Sequence, residues 1–197
     1  MEITAKMVKE LRDKTNVGLM DCKKALKEAK GDIDKAIKIL RESGVVKAAK
    51  KASREAKEGI IYSYIHSGAK IGVLLELNCE TDFVAKNEKF QKIAKNISMH
   101  IAATNPISIT TEDVDKKIID EEKEIYKKQA IKSGKPEKII DKIVEGKLKK
   151  YFKENCLLKQ SLIMDEEKTV EQFLTETIVE FGENITIGRF SRFQIKK

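Results

Sequence analysis

Two β-rich stretches sit either side of a short turn in a chain that otherwise reads as helix. Gly59-Ile60-Ile61-Tyr62-Ser63-Tyr64-Ile65 and the run from Lys70 to Leu77 are rich in aliphatic and aromatic residues, and His66-Ser67-Gly68-Ala69 supplies the turn between them. A two-stranded hairpin alone is not stable in water, so a third strand and covering helices are required. The third strand is predicted from Asn184 to Ile195. Ile185 and Ile187 share one face there, but Phe190 and Phe193 cannot both join it without a bulge, which Gly188 would accommodate. The expected class is α+β: a three-stranded antiparallel sheet with helices packed on it.

Helical periodicity covers most of the remainder and divides the chain into three parts. Residues 1–44 read as a three-helix bundle. Met7, Val8 and Leu11 line the first helix, which is expected to end near Thr15-Asn16 before Gly18. Cys22, Ala25, Leu26 and Ala29 line the second, stopped by Gly31. Asp32 is the natural N-cap of the third, lined by Ile33, Ala36, Ile37 and Leu40 and read as ending at Gly44. A core this small is marginal by itself, so a tethered module is expected. Residues 45–57, rich in Lys and Ala without Gly or Pro, read as a helical linker. Residues 58–197 form the α+β core. Its helices are expected from about Asn87 to Thr104, from Thr111 to Ser133, from Pro136 to a break at Gly146 with a short continuation, and from Val170 to Phe181. Leu157 to Met164 reads as extended or irregular.

Charge sets the classes of partner. Lys plus Arg is 40 against 32 for Asp plus Glu, a formal net charge of +8. Only Arg12, Arg41, Arg54, Arg189 and Arg192 are arginine, whereas bidentate base and phosphate recognition favours that residue. The lysine excess therefore reads first as solvated helix faces, then as a surface for an acidic protein, and only third as a nucleic-acid module. No apolar run approaches the ~18 residues of a membrane span. Met1-Glu2-Ile3-Thr4-Ala5-Lys6 shows no signal-peptide core, so a cytoplasmic protein is expected. Cys22, Cys79 and Cys156 are far apart, odd in number and in no C-x-x-C pair, a pattern that argues against a zinc site or a disulfide framework. No phosphate loop or dinucleotide fingerprint occurs, and His66 and His100 have no partners at catalytic or metal-ligand spacing. The chain reads as a binding protein, not an enzyme, with no cofactor.

The second strand runs straight into Asn78-Cys79-Glu80-Thr81-Asp82-Phe83-Val84-Ala85-Lys86-Asn87, a strand-to-helix corner. Helix capping accounts for its polar residues but not for a phenylalanine beside an aspartate at its centre. Either Phe83 folds back beneath the helix with Asp82 as its cap, or Phe83 stands outward for a partner.

Several stretches together closely resemble bacterial and organellar translation elongation factor Ts. They are Leu11-Arg12-Asp13-Lys14-Thr15-Asn16-Val17-Gly18-Leu19-Met20-Asp21-Cys22-Lys23-Lys24-Ala25-Leu26, Gly59-Ile60-Ile61, the corner motif, Gly182-Glu183-Asn184-Ile185 and Arg189-Phe190, in that order. The family's role is to release GDP from elongation factor Tu so that GTP can bind. The resemblance implies that residues 1–44 are a ubiquitin-associated-like domain contacting the partner's nucleotide-binding domain through Arg12, Leu19, Met20 and Lys23. It implies that Phe83, with Asp82 beside it, wedges near the partner's Mg²⁺ and phosphate site, Thr81 and Val84 holding the corner in shape. Leu19 stands where many members have Met, and Asn16-Val17 where many have Gly-Ala; both changes keep an apolar tip. The length matches the short form with one core lobe, which implies a homodimer, with the aromatic last strand at the subunit contact or over the chain's own core. Elongation factor Tu, GDP-bound and nucleotide-free, is the implied partner, with no specific nucleic acid and no membrane.

Overall fold

The computed structural model describes residues 3–15 and 17–195. Met1 and Glu2, Asn16 (where the first helix was expected to end) and the last two lysines lie outside the described residues. The fold is α+β. A three-stranded sheet has the order β1 (Glu58–Ile65), β2 (Ile71–Cys79), β5 (Thr186–Gln194), and a small second sheet pairs β3 (Ser161–Leu162) with β4 (Asp165–Thr169). In the hairpin β1–β2, the His66 amide donates to the Ile71 carbonyl at 2.9 Å, and Gly68 and Ala69 turn the chain with φ of 85° and 53°. β5 runs antiparallel to β2: Ile195 N donates to the Lys70 carbonyl at 3.0 Å, and Arg189 reaches back to Glu76 at 2.8 Å. On β2, the residues Val73, Leu75, Leu77 and Cys79 are buried, the period-two pattern of a strand with one face in a core. Contacts within the chain cluster into two units, each built from separate stretches.

The first unit contains the chain to Ile60, Leu77–Gln91 and Gln172–Thr186. It opens with α1 (Ala5–Thr15), α2 (Leu19–Glu28) and α3 (Ile33–Lys51). Their core is Val8, Leu11, Cys22, Ala25, Leu26, Ala29, Ala36 and Leu40, drawn from the stripes that the three- and four-residue helical spacing selects. Asp32 caps α3 by accepting from the Lys35 amide at 3.0 Å, a bond that also holds its carboxyl below the usual range. Gly44 does not end α3, which runs on to Lys51, so the helical part of the expected linker stops there and residues 52–57 are irregular. The reason is packing. Gly44 is buried against α8 (Val170–Phe181), where an added Cβ would lie 3.5 Å from Val179 Cγ2, and close approach offsets a glycine's poor helix propensity.

The second unit contains Ile61–Glu76, Lys92–Glu171 and the chain from Ile187. Ile93, Ala94, Ile97, Ile101 and Ala102 of α5 (Glu88–Thr104) are buried in it. α6 (Lys116–Lys132) and α7 (Glu137–Asn155) form an antiparallel hairpin turned by Gly134, φ 67°. α6 starts later than expected because Asp115 caps it, and its Ile118 and Ile125 are exposed rather than core. α7 passes through Gly146 without a break; a Cβ there would meet open space, so nothing forces the chain to turn. The stretch read as extended or irregular holds a 3-10 turn (Leu157–Lys159) and the short strand β3, and β4 follows just past it. Asp165-Glu166-Glu167-Lys168-Thr169 is too polar to announce a strand. His100 is fully buried here. Its Nε2 lies 2.9 Å from Gln160 Oε1, and its Nδ1 accepts from the Ile163 amide at 3.3 Å, so the ring is neutral with its proton on Nε2. Burial holds its pKa below the ordinary 6.5.

Two predictions follow from these packings. Gly44→Ala places its methyl at ordinary contact distance and should stabilise the protein by up to about 1 kcal/mol in urea unfolding. The unfolded chain binds a proton at His100 more readily than the folded one. Stability should therefore be full above pH 6.5 and fall as the pH drops below it toward the lower folded value. Unfolding of the wild type and of His100→Gln across pH 5–8 checks this, the variant losing that slope.

Candidate partner-binding site

The corner is built where β2 leaves the sheet. β1 approaches it so closely that a Cβ on Gly59 would lie 2.4 Å from the Leu77 carbonyl oxygen, at φ +149°, so only glycine fits. Cys79 is buried and its thiol donates to the Thr81 carbonyl at 3.1 Å; burial pushes the thiol up to about 11, so it is an inert packing group.

A single helical turn, α4 (Asp82–Ala85), follows. Thr81, not Asp82, is its N-cap, with Oγ1 accepting from the Val84 amide at 3.4 Å. Asp82 is bound instead to Lys86 Nζ at 2.7 Å, and this hydrogen bond and charge hold its carboxyl below the usual range. The turn sends Ala85 inward and leaves Val84 half-buried. It sends Phe83 outward, 83% exposed. Seven residues on, Phe90 is fully buried, edge-on to Phe181 with ring centroids 5.9 Å apart. The aromatic slot beneath the helix is thus taken by Phe90, and the reading in which Phe83 folds back under the helix is overturned.

The corner rests on the turn after α8. Gly182, φ 72°, reverses the chain, and Lys51 Nζ donates to its carbonyl. Glu183 then accepts from the amides of Glu80 and Thr81 at 3.0 and 3.1 Å and from Thr81 Oγ1 at 2.6 Å. Glu80 in turn accepts from the Asn184 amide at 2.6 Å and pairs with Arg54 at 3.5 Å. The buried Asn184 donates to the Arg54 carbonyl at 2.7 Å. Glu183 and Glu80 escaped the sequence reading as support for the corner, although Gly182-Glu183-Asn184 had stood out as a motif. Their partners lie about a hundred residues apart, and no local period signals such a bond.

In the three-helix bundle, Leu19 and Met20 open α2 and are 49% and 69% exposed. They are therefore not the bundle's core, which closes without them. Arg12 near the end of α1 and Lys23 on α2 are exposed as well. Among the described residues, no cluster of side chains suited to a metal ion forms and no helix is long and apolar enough to cross a membrane.

The family model described as elongation factor TS matches residues 1–197. The chain is 60% identical to the protein named elongation factor Ts of Thermodesulfovibrio yellowstonii, covering 99% of this chain and 97% of that one. It is 58% identical to that of Thermosipho melanesiensis, covering 98% of each. It is 53% identical to that of Syntrophobacter fumaroxidans, covering 99% and 98%.

Proposed function

Because the chain belongs to the elongation factor Ts family, we propose that it is a cytoplasmic guanine-nucleotide exchange factor that binds elongation factor Tu·GDP and promotes release of GDP. The observation that carries this reading is the outward Phe83 on a turn already fixed from behind. An apolar ring held in water has its burial energy in reserve, about 1.5–3 kcal/mol. A preformed turn spends little of it on ordering when it docks.

The mechanism proceeds from that geometry. Phe83 enters between elements of the partner near its Mg²⁺ and phosphate site. Asp82, kept ionised by Lys86, places negative charge where the partner holds its metal and phosphates. Bound GDP depends on those cations and on backbone donors around the phosphates, so displacing them weakens its hold. Thr81 and Val84 keep the turn in shape. Arg12, Leu19, Met20 and Lys23 form a second contact, on the partner's nucleotide-binding domain, through the ubiquitin-associated-like bundle. By linkage, GDP weakens this protein's grip on its partner by the same factor. No covalent bond changes, so the factor is not an enzyme in the strict sense. A nucleic-acid role is disfavoured because three of the five arginines are occupied within the chain: Arg54 on Glu80, Arg189 on Glu76 and Arg192 on the Ala102 carbonyl.

The homodimer has a candidate surface in the second unit. Ile61, Ile65, Leu74, Phe193 and Ile195 are exposed on the outer face of the sheet, around the Arg189–Glu76 pair. A large apolar face of this kind marks an interaction site. A second copy placed by a two-fold axis meets it with the same apolar set, and sets Arg against Glu.

Two measurements test these assignments. Phe83→Ala should slow stimulated release of fluorescent GDP about 10- to 150-fold, the equivalent of the ring's burial energy, while leaving thermal unfolding unchanged within about 0.5 kcal/mol, as for a surface substitution. Phe193→Glu puts an unpaired charge on the sheet face and should shift sedimentation from dimer to monomer; an unchanged dimer places the subunit contact elsewhere.

A further inference from the structure

We propose that Glu183 is a positioning residue for exchange: its carboxylate holds the peptide beneath Phe83 and so aims the ring. The inference rests on the wedge reading above.

A single turn of helix does not hold itself. Fixing its dihedrals costs more than its few hydrogen bonds return, and α4 is four residues long. The segment that leads into it is gripped by one distant side chain. Glu183 Oε2 takes both consecutive amides, those of Glu80 and Thr81, and Oε1 takes the Thr81 hydroxyl. Two consecutive amides on one oxygen fix the orientation of the two peptide groups that flank Glu80. Because the Thr81 hydroxyl gives its proton to Glu183, its lone pair is left facing the Val84 amide, which it caps. The carboxylate therefore sets the direction of the cap as well as the peptide before it. The next residue carries Phe83 out.

The chemistry requires a carboxylate. Three donors converge on Glu183, and only a group that accepts at both oxygens satisfies them all. Glutamine would turn an amide N–H toward a backbone N–H or the hydroxyl. The placement also runs against local preference. Two residues past the end of α8, a negative charge sits at the unfavourable end of that helix's dipole. Reciprocity completes the hold: while Glu183 binds the amides at 80 and 81, Glu80 binds the amide at 184 and the Arg54 guanidinium. The two segments are locked in register, and the ring is the one large apolar group they leave outside. Glu183 itself is half-buried behind the turn, so it acts through Phe83 and not by touching the partner.

The test uses full-length protein and elongation factor Tu loaded with fluorescent GDP, with the stimulated release rate measured against factor concentration. Glu183→Gln should lower the maximal rate about tenfold to a hundredfold, the scale of a misplaced reacting group. The half-saturating concentration should move less than about threefold, since Arg12, Leu19, Met20 and Lys23 still engage. In a Phe83→Ala background the same substitution should cause no further loss. A wild-type maximal rate for folded Glu183→Gln, with Phe83→Ala slow, overturns the positioning role. So does a double variant slower than Phe83→Ala by the full factor, because Glu183 would then act by another route. If Phe83→Ala itself releases GDP at the wild-type rate, the wedge reading fails first and this inference with it. Should Glu183→Gln not fold by circular dichroism, Thr81→Val carries the comparison by removing the 2.6 Å bond together with the cap it orients; a wild-type rate there is equally fatal.

Discussion

The central strand decides where this protein can expose apolar groups. β2 has a neighbour on both edges and buries Val73, Leu75, Leu77 and Cys79 on one face. Its last buried residue is immediately followed by the corner, so the chain leaves the sheet at a fixed point and angle. Gly59 reinforces this, since the hairpin partner passes too close to Leu77 and Asn78 to tolerate any side chain. The direction of the corner is thus inherited from a strand whose register cannot slip without turning its buried set outward. A functional side chain mounted there has a rigid base before any capping bond is counted.

Among the apolar groups left in water are Phe83, the Leu19-Met20 pair and the outer sheet face. They share a form of support. Phe83 stands on a capped turn, Leu19 and Met20 begin a helix whose opposite face is core, and Leu74 alternates with the buried residues of β2. None lies on a loose loop. Exposed apolar groups on fixed backbone bind without a large ordering cost, which suits a factor that must engage and leave its partner repeatedly. The lysine excess is disposed differently. Lysines pair with carboxylates one helical turn away, as in Lys14 with Glu10 and Lys149 with Glu145, the arrangement expected of solvated faces.

The architecture was legible where the signal is periodic. The three-helix stripes, the hairpin and α5 and α8 could all be read from spacing, because burial of one face imposes that spacing. Glycine was the unreliable sign. Gly31 and Gly134 do end helices, with φ of 89° and 67°, but Gly44 and Gly146 lie within them. Nothing in the local sequence separates the two pairs: the glycines that end helices take a positive φ, whereas Gly44 and Gly146 keep helical dihedrals, one packed against Val179 and the other facing open space. The polar strand β4 was invisible for a related reason, since it packs at an edge and carries no apolar alternation. Of the candidate site, the corner and the α2 tip could be picked out by motif, but the outward direction of Phe83 could not. That depends on Phe90 having filled the interior slot against Phe181, a contact between residues 91 positions apart.

The same distance in sequence explains why the support for the corner matters mechanistically. Local capping by Thr81 alone would give a turn that frays on its own, and under the proposed wedge mechanism a fraying turn would let the ring relax around an intact nucleotide site instead of displacing it. Glu183 comes from the far end of the chain, just past α8, which packs Phe181 against Phe90 and Val179 against Gly44. Its grip on the Glu80–Thr81 peptide therefore forms only when the first unit is assembled. In the exchange role proposed here, the factor must resist the partner's own preference for the GDP-bound arrangement, and a ligand shifts an equilibrium only by the difference in its affinity for the two states. A yielding wedge binds both states nearly alike and shifts little. A wedge braced by the folded unit has that difference built into its stiffness, and the brace runs through one carboxylate.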